Sequence, residues 1–221
     1  MNDGDGPYPL RPDRQGLVVV DMQNDFVREG APQEVPDARR IVGTVQGLLA
    51  AFRAARRPVF FTRFIAGPGR TLMWAFSPEC TDTLRSCWRG HHRRYNDRPD
   101  ELEGPEIIDE LSPHPGEDVT DKFGYSGFYN THLADALHAH GVTQVVVVGT
   151  VTQICVEDTV RGGFHQNFEM VVVEDAVASF DHELHTASLR GMAMKYARIV
   201  SSDVVLDAMR PVVNAISGGP L

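Results

Sequence analysis

A run of β-branched residues, Val145-Val146-Val147-Val148, stops at Gly149, passes through Thr150-Val151-Thr152-Gln153-Ile154 and delivers Cys155 where helical residues resume. A thiol at a helix start faces unpaired backbone N–H groups and the positive end of the helix dipole. Both favour the thiolate, the reactive form of cysteine, so Cys155 is a candidate nucleophile with a lowered pKa. A buried structural thiol is the plainer account of a cysteine without context; the strand–turn–helix setting argues against it. Two more reactive side chains have similar settings: Leu17-Val18-Val19-Val20 ends at Asp21, and Val119-Thr120-Asp121 ends at Lys122. A cysteine nucleophile needs a base for its proton, and that proton must later reach the leaving group. Asp21 can do both. Lys122 beside the pair would keep Asp21 ionised and stabilise thiolate charge. A carbonyl under attack becomes an oxyanion that needs backbone N–H donors, and the Gly149–Cys155 turn is a natural source. No histidine occupies a comparable strand end. Taken alone, Asp21 reads as a cap and Lys122 as a surface lysine.

The elements that would position these groups alternate along the chain. Strands are predicted at 17–20, 59–62, 119–121, 144–149, 170–173 and 198–201. Helices are predicted at 37–56, near 107–111, and at 130–140, 155–167, 183–197 and 203–210. This alternation implies a three-layer α/β/α sandwich with a mainly parallel, doubly wound sheet. Right-handed crossovers place all strand C-terminal ends on one edge, where ligands bind. Asp21, Lys122 and Cys155, far apart in sequence, are thereby predicted to meet at one mouth. Residues 1–15 are polar and rich in Gly, Pro and Asp, and read as a flexible leader to a single domain over 16–221. The stretch 63–105 is too long for a plain connector and is expected to cover the site, with short helices.

Composition narrows the class. The 221 residues carry a formal net charge of -9, which argues against a nucleic-acid binder. No apolar run reaches membrane-spanning length. The odd number of cysteines, Cys80, Cys87 and Cys155, shows no zinc-type spacing. A cytoplasmic protein with reduced thiols is expected. No Gly-x-Gly-x-x-Gly follows the first strand and no Walker-type loop occurs, so neither supports a dinucleotide site.

The segments Asp21-Met22-Gln23-Asn24-Asp25-Phe26, Lys122-Phe123-Gly124-Tyr125-Ser126-Gly127-Phe128 and Gly149 to Thr159 resemble, in this order, three motifs of the isochorismatase-like cysteine hydrolases. The resemblance runs from about Gly16 to Asp207. It implies a catalytic triad of Asp21, Lys122 and Cys155, and a non-proline cis peptide at Thr150–Val151. It also implies an oxyanion hole from the N–H groups of Val151 and Cys155, and a homo-oligomer, dimer or tetramer, acting on a small molecule. Departures from the family pattern matter too. Members that hydrolyse nicotinamide carry metal-ligating histidines after the second strand, whereas this chain has Thr62-Arg63-Phe64-Ile65-Ala66. Neither metal nor cofactor is therefore expected. Members that cleave the vinyl ether of isochorismate lack the cysteine.

Other residues divide between function and packing. Phe26, Trp74, Tyr125 and Phe128 are candidates to line an apolar substrate pocket, although core packing or a subunit interface would account for each. Arg93 and Arg94 offer guanidinium groups for a substrate carboxylate, but a solvated charged loop explains them more simply. Cys80 and Cys87 read as incidental thiols, His91-His92 as a loop pair, and His132, His138 and His140 as surface residues.

The leading expectation is a cysteine amidohydrolase that cleaves an amide or ureide C–N bond through a thioester. The alternatives are an isochorismatase-type vinyl ether hydrolase with Asp21 as acid, a nicotinamidase-like amidase without the usual metal ligands, and a non-catalytic binding module. The last predicts no accessible reactive thiol.

Overall fold

A computed structural model describes residues 6–210. The first five residues of the expected leader and the end of the expected domain, 211–221, lie outside the described residues. The chain forms β1 (Gln15–Val20), α1 (Asn24–Val27), α2 (Pro36–Ala54), β2 (Val59–Phe64), β3 (His92–Arg94), β4 (Glu101–Glu103) and β5 (Asp118–Lys122). It continues through α3 (Leu133–Ala139), β6 (Gln144–Thr150), α4 (Glu157–His165), β7 (Glu169–Ala178), α5 (His182–Lys195), β8 (Ala197–Val200) and α6 (Ser202–Met209).

Strands built almost wholly of valine, such as 17–20 and 145–148, suit a sheet covered on both faces. The six-stranded sheet has the order β5-β2-β1-β6-β7-β8, with every neighbouring pair parallel. Alternate residues serve opposite faces. Leu17 and Val19 join a core with Ile41, Val45, Leu48, Leu49 and Phe52 of α2 and Val205 of α6. Val18 and Val20 join a second core with Leu133 and Leu137 of α3, Val160 of α4 and Met192 of α5. Each fully buried Leu or Phe contributes roughly 1.5–3 kcal/mol of transfer free energy. This is the expected α/β/α sandwich.

The strand order reverses between β1 and β6, because the chain first builds outward through β2 to β5 and then outward the other way through β7 to β8. Such a switch point opens a crevice at the strand C-termini. Asp21 follows β1, and the turn bearing Cys155 follows β6, so the two groups flank that crevice.

Local details depart from expectation. The segment read as a loose leader is docked from Tyr8 onward: the Tyr8 hydroxyl donates to the Met170 carbonyl, Arg198 donates to the Tyr8 carbonyl at 2.9 Å, and β1 begins at Gln15. Apolar Tyr8 and Leu10, within the polar stretch, pack on the core and hold it there. The long connector contains a two-stranded hairpin, β3 with β4, besides its short helical turns. The turn before α4 is π-helical over Thr152–Val156, so the α-helix starts at Glu157 rather than at Cys155. The 107–111 segment is only a 3₁₀ turn, Asp109–Leu111, and β7 runs on to Ala178.

Gly149 does not end β6; the strand passes through it at φ +114 and continues to Thr150. A Cβ there would lie 2.1 Å from the Val20 carbonyl oxygen, one residue before Asp21. Gly149→Ala therefore pushes apart the two strand ends that flank the crevice. Strain of this kind costs about 1–3 kcal/mol, and chemical denaturation should show a loss of that size. A wild-type midpoint would contradict this reading of the contact.

Candidate active site

Asp21 leaves β1 with φ +50, a left-handed conformation that aspartate tolerates better than most residues. Its carboxylate is fully buried. The Thr62 hydroxyl, two residues before the end of β2, donates to Oδ1 at 2.7 Å, and Lys122 Nζ lies 2.7 Å from Oδ2. Lys122 is the last residue of β5, with β2 between it and β1. Neighbouring strands lie about 4.8 Å apart, so a long side chain must cross the end of β2 to reach Asp21. It does so over the Phe64 ring, 5.1 Å from its centroid. The ammonium also donates to Cys155 Sγ at 3.3 Å and to the Gly124 carbonyl at 3.1 Å. The ammonium is thus surrounded by one ion pair and two hydrogen bonds.

Asp21, Lys122 and Cys155 thus meet as the sequence leads one to expect, but the thiol's ionisation differs. Burial raises the Cys155 pKa, Lys122 lowers it, Asp21 raises it, and the net result lies above the ordinary thiol value of 9.0. The helix-start argument for a resting thiolate fails because desolvation and a neighbouring carboxylate outweigh one ammonium and a turn's dipole. Cys87 is raised well above the ordinary value and Cys80 to about 12, both chiefly by burial. For Lys122, burial pulls downward, but Asp21 and Cys155 together more than offset it and the ammonium form is favoured.

The Thr150–Val151 peptide is cis. The N–H groups of Ile154 and Val156 both donate to the Val151 carbonyl, at 3.0 and 3.1 Å. The N–H groups of Val151 and Cys155 belong to this same turn, Val151 as its cap and Cys155 within it. The turn is steadied from α5, where Ser188 Oγ donates to Glu157 at 2.6 Å, and from within α4 by Arg161 on the same carboxylate.

Sγ opens into a cavity of about 360 Å³ lined by Phe26, Phe64, Tyr125, Val151, Ile154, Phe76 and Phe180, with Gln33, Glu34, Ser77 and Glu79 as its polar wall. Of the four aromatic candidates, Phe26 and Tyr125 reach this cavity. Trp74 does not: it stacks on Trp88 at 5.7 Å and donates to the Ala66 carbonyl. Phe128 does not either: its ring packs on Phe168 in the core beneath α4. Arg93 is no solvated side chain but pairs with buried Asp25 at 3.0 Å. Arg94 is exposed and pairs with Glu101.

Thr62, Phe64, Phe76, Phe180, Gln33 and Glu79 were not singled out by sequence. Only Thr62 carried a signal, its place at the end of the predicted strand 59–62; Phe64 lies in the two residues by which the observed strand outruns it. The polar middle of the first motif also gains a structural role. Gln23 clasps both backbone groups of Phe64, at 2.7 and 3.0 Å, and the Pro105 carbonyl at 3.0 Å. Asp25 accepts from the Cys87 N–H at 2.7 Å and the Tyr95 hydroxyl at 2.6 Å. These bonds fasten the 63–105 connector to α1. Among the described residues, no cluster of three or more His, Cys, Asp or Glu could hold a metal, and no helix is long and apolar enough to cross a membrane.

The isochorismatase domain model matches residues 15–204. The chain is 36% identical over 186 residues to the ureidoacrylate amidohydrolase RutB of Pseudomonas syringae pv. syringae, covering 77% of this chain and 74% of that protein. It is 34% identical over 194 residues to RutB of Methylobacterium radiotolerans, covering 83% and 74%. A cysteine hydrolase from Pseudomonas syringae pv. phaseolicola superposes with a TM-score of 0.82 at 27% identity, covering 95% of this chain and 98% of that one. N-carbamoylsarcosine amidase from Thermoplasma acidophilum does so with 0.69 at 31% identity, covering 86% and 97%.

Removing the ammonium by Lys122→Met leaves Asp21 buried and unpaired, which should cost roughly 3–5 kcal/mol of stability. The raised folded pKa makes this contribution fully present below the unfolded value of 10.5, and it is lost as pH rises through the higher folded value. Urea unfolding should give a constant wild-type minus variant difference between about pH 7 and 9 that narrows above the unfolded lysine value. A difference near zero at neutral pH would contradict the pairing.

Proposed function

This chain belongs to the isochorismatase family, and on that premise we propose that it is a cysteine hydrolase cleaving a C–N bond of a small amide or ureide through a thioester. One observation carries the proposal: Lys122 Nζ is ion-paired to the Asp21 carboxylate and donates to Sγ of Cys155, which lines a cavity. The amidohydrolase relatives support the reaction class.

In this reading the substrate carbonyl lies over Sγ. The thiol proton passes to Asp21 as the S–C bond forms, and the carbonyl π pair moves onto oxygen. The negative charge of the Asp21 carboxylate thereby passes to the carbonyl oxygen, and the ammonium of Lys122 remains beside it. The N–H groups of Val151 and Cys155 receive the oxyanion. Fixed donors aimed at developing charge in a dry site are worth about 3–4 kcal/mol each by deletion. The oxyanion collapses, the C–N bond breaks, and Asp21 returns its proton to the departing nitrogen. Ammonia or an amine leaves and a thioester remains. Water then gives a proton to Asp21, attacks the thioester carbon, and the C–S bond breaks. Asp21 reprotonates sulfur.

A thiol inside the cavity favours this chemistry over vinyl ether hydrolysis, which would use Asp21 without it. Exposed Leu72, Phe76 and Phe180 near the site support a homo-oligomer in which a second copy meets that surface. The net charge of -9 supports a small-molecule substrate rather than nucleic acid. A cytoplasmic location fits three unpaired cysteines.

Ammonia release from a panel of small amides and ureides tests the assignment. Cys155→Ala and Asp21→Asn should each lower kcat/KM by at least about 10³-fold. No ammonia from any member of the panel, together with vinyl ether hydrolysis that survives Cys155→Ala and is lost in Asp21→Asn, would move the enzyme to the vinyl ether class.

A further inference from the structure

The charge of the cavity wall bears on which substrates can enter. A site for a carboxylate-bearing molecule needs a free cationic donor near the reacting carbon. Lys122 cannot serve, because it is fully buried, ion-paired to Asp21 and hydrogen-bonded to Cys155 and Gly124. Arg93 is spent on Asp25 and on the carbonyls of Leu84 and Arg85. In the adjoining groove Arg161 is committed to Glu157, beside Asp158. Residues 1–5 and 211–221 contain no lysine or arginine to add.

The cavity instead presents carboxylates. Glu34 is neutralised by Arg39 at 2.7 Å and by the Gly30 N–H at 2.8 Å. Glu79 lines the same cavity and has no ion pair among the described residues. Gln33 accepts from Ser86 Oγ at 2.8 Å, which leaves its NH₂ as a neutral donor. The opposite wall is aromatic, with Phe26, Phe64 and Tyr125 stepping past one another at 6.4 and 6.1 Å.

Building on the amidohydrolase reading, we propose that this enzyme selects small uncharged or cationic amides and ureides with an apolar body and disfavours those bearing a carboxylate, with Glu79 setting the preference. Its choice then differs from that of the relatives named for ureidoacrylate, an anion at neutral pH.

Two alkylating agents of nearly equal size, neutral iodoacetamide and anionic iodoacetate, read the charge of the cavity without turnover. The rate of each at Cys155 is followed by peptide mass spectrometry on the full chain, and their ratio is divided by the same ratio for glutathione. The normalised ratio should exceed tenfold in favour of iodoacetamide. Glu79→Gln should reduce it at least threefold and Glu79→Lys further. A normalised ratio near one, or preference for iodoacetate, would overturn the proposal, including the case where a second copy supplies a cation. A high ratio unchanged in both variants would overturn the role of Glu79. Failure of the hydrolase reading is separate: no amide or ureide would be turned over, whatever the alkylation ratio.

Discussion

A buried ammonium held between two acids is the constraint that the rest of the molecule serves. Lys122, Asp21 and Cys155 are almost wholly removed from water. Each alone would be costly or inert there: an unpaired charge pays several kcal/mol in desolvation, and an isolated buried thiol stays protonated. Together, as thiol, carboxylate and ammonium, they are neutral in sum, and each has a partner within the group.

The fold supplies the three groups from three strand ends, and the order of strands decides which side chain can do what. Asp21 and the turn bearing Cys155 flank the reversal between β1 and β6. Lys122 comes from the edge strand beyond β2, which explains why the cation is a long one and why Phe64 lies under it. Gly149 permits the closest approach of the two central strands. Gln23 and Asp25 then bind the connector that walls the cavity to the same β1 end. The motif after β1 therefore serves both the buried charge cluster, through Asp21, and the architecture, through its neighbours.

Much of this was legible in the sequence, for a definite reason. In a parallel sheet the strand end is where chemistry collects, and valine-rich strands reveal their ends clearly, so Asp21 and Cys155 could be placed without coordinates, whereas Lys122, after a strand with one valine, stood out through the resemblance of its segment. The cavity wall could not. Gln33 and Glu79 sit in connectors without periodicity, and nothing local says what they face. Trp74 looked like a pocket residue because it lies in the irregular stretch, yet its partner is Trp88, and Phe128 belongs to the helix packing of α4. Arg93 was read as solvated because its buried partner, Asp25, is 68 positions away in the chain. The thiol's pKa was misjudged because a helix start is visible in a sequence whereas depth of burial is not.

The central claim is that Cys155 rests as a thiol and gives its proton to Asp21 only on attack. Thiolate absorbance near 240 nm, taken as the difference between wild type and Cys155→Ala across pH 5 to 10, tests it most directly. The account predicts no thiolate step below the ordinary thiol value of 9.0. A full step in the range of about pH 5 to 7 would show a resting thiolate and contradict it.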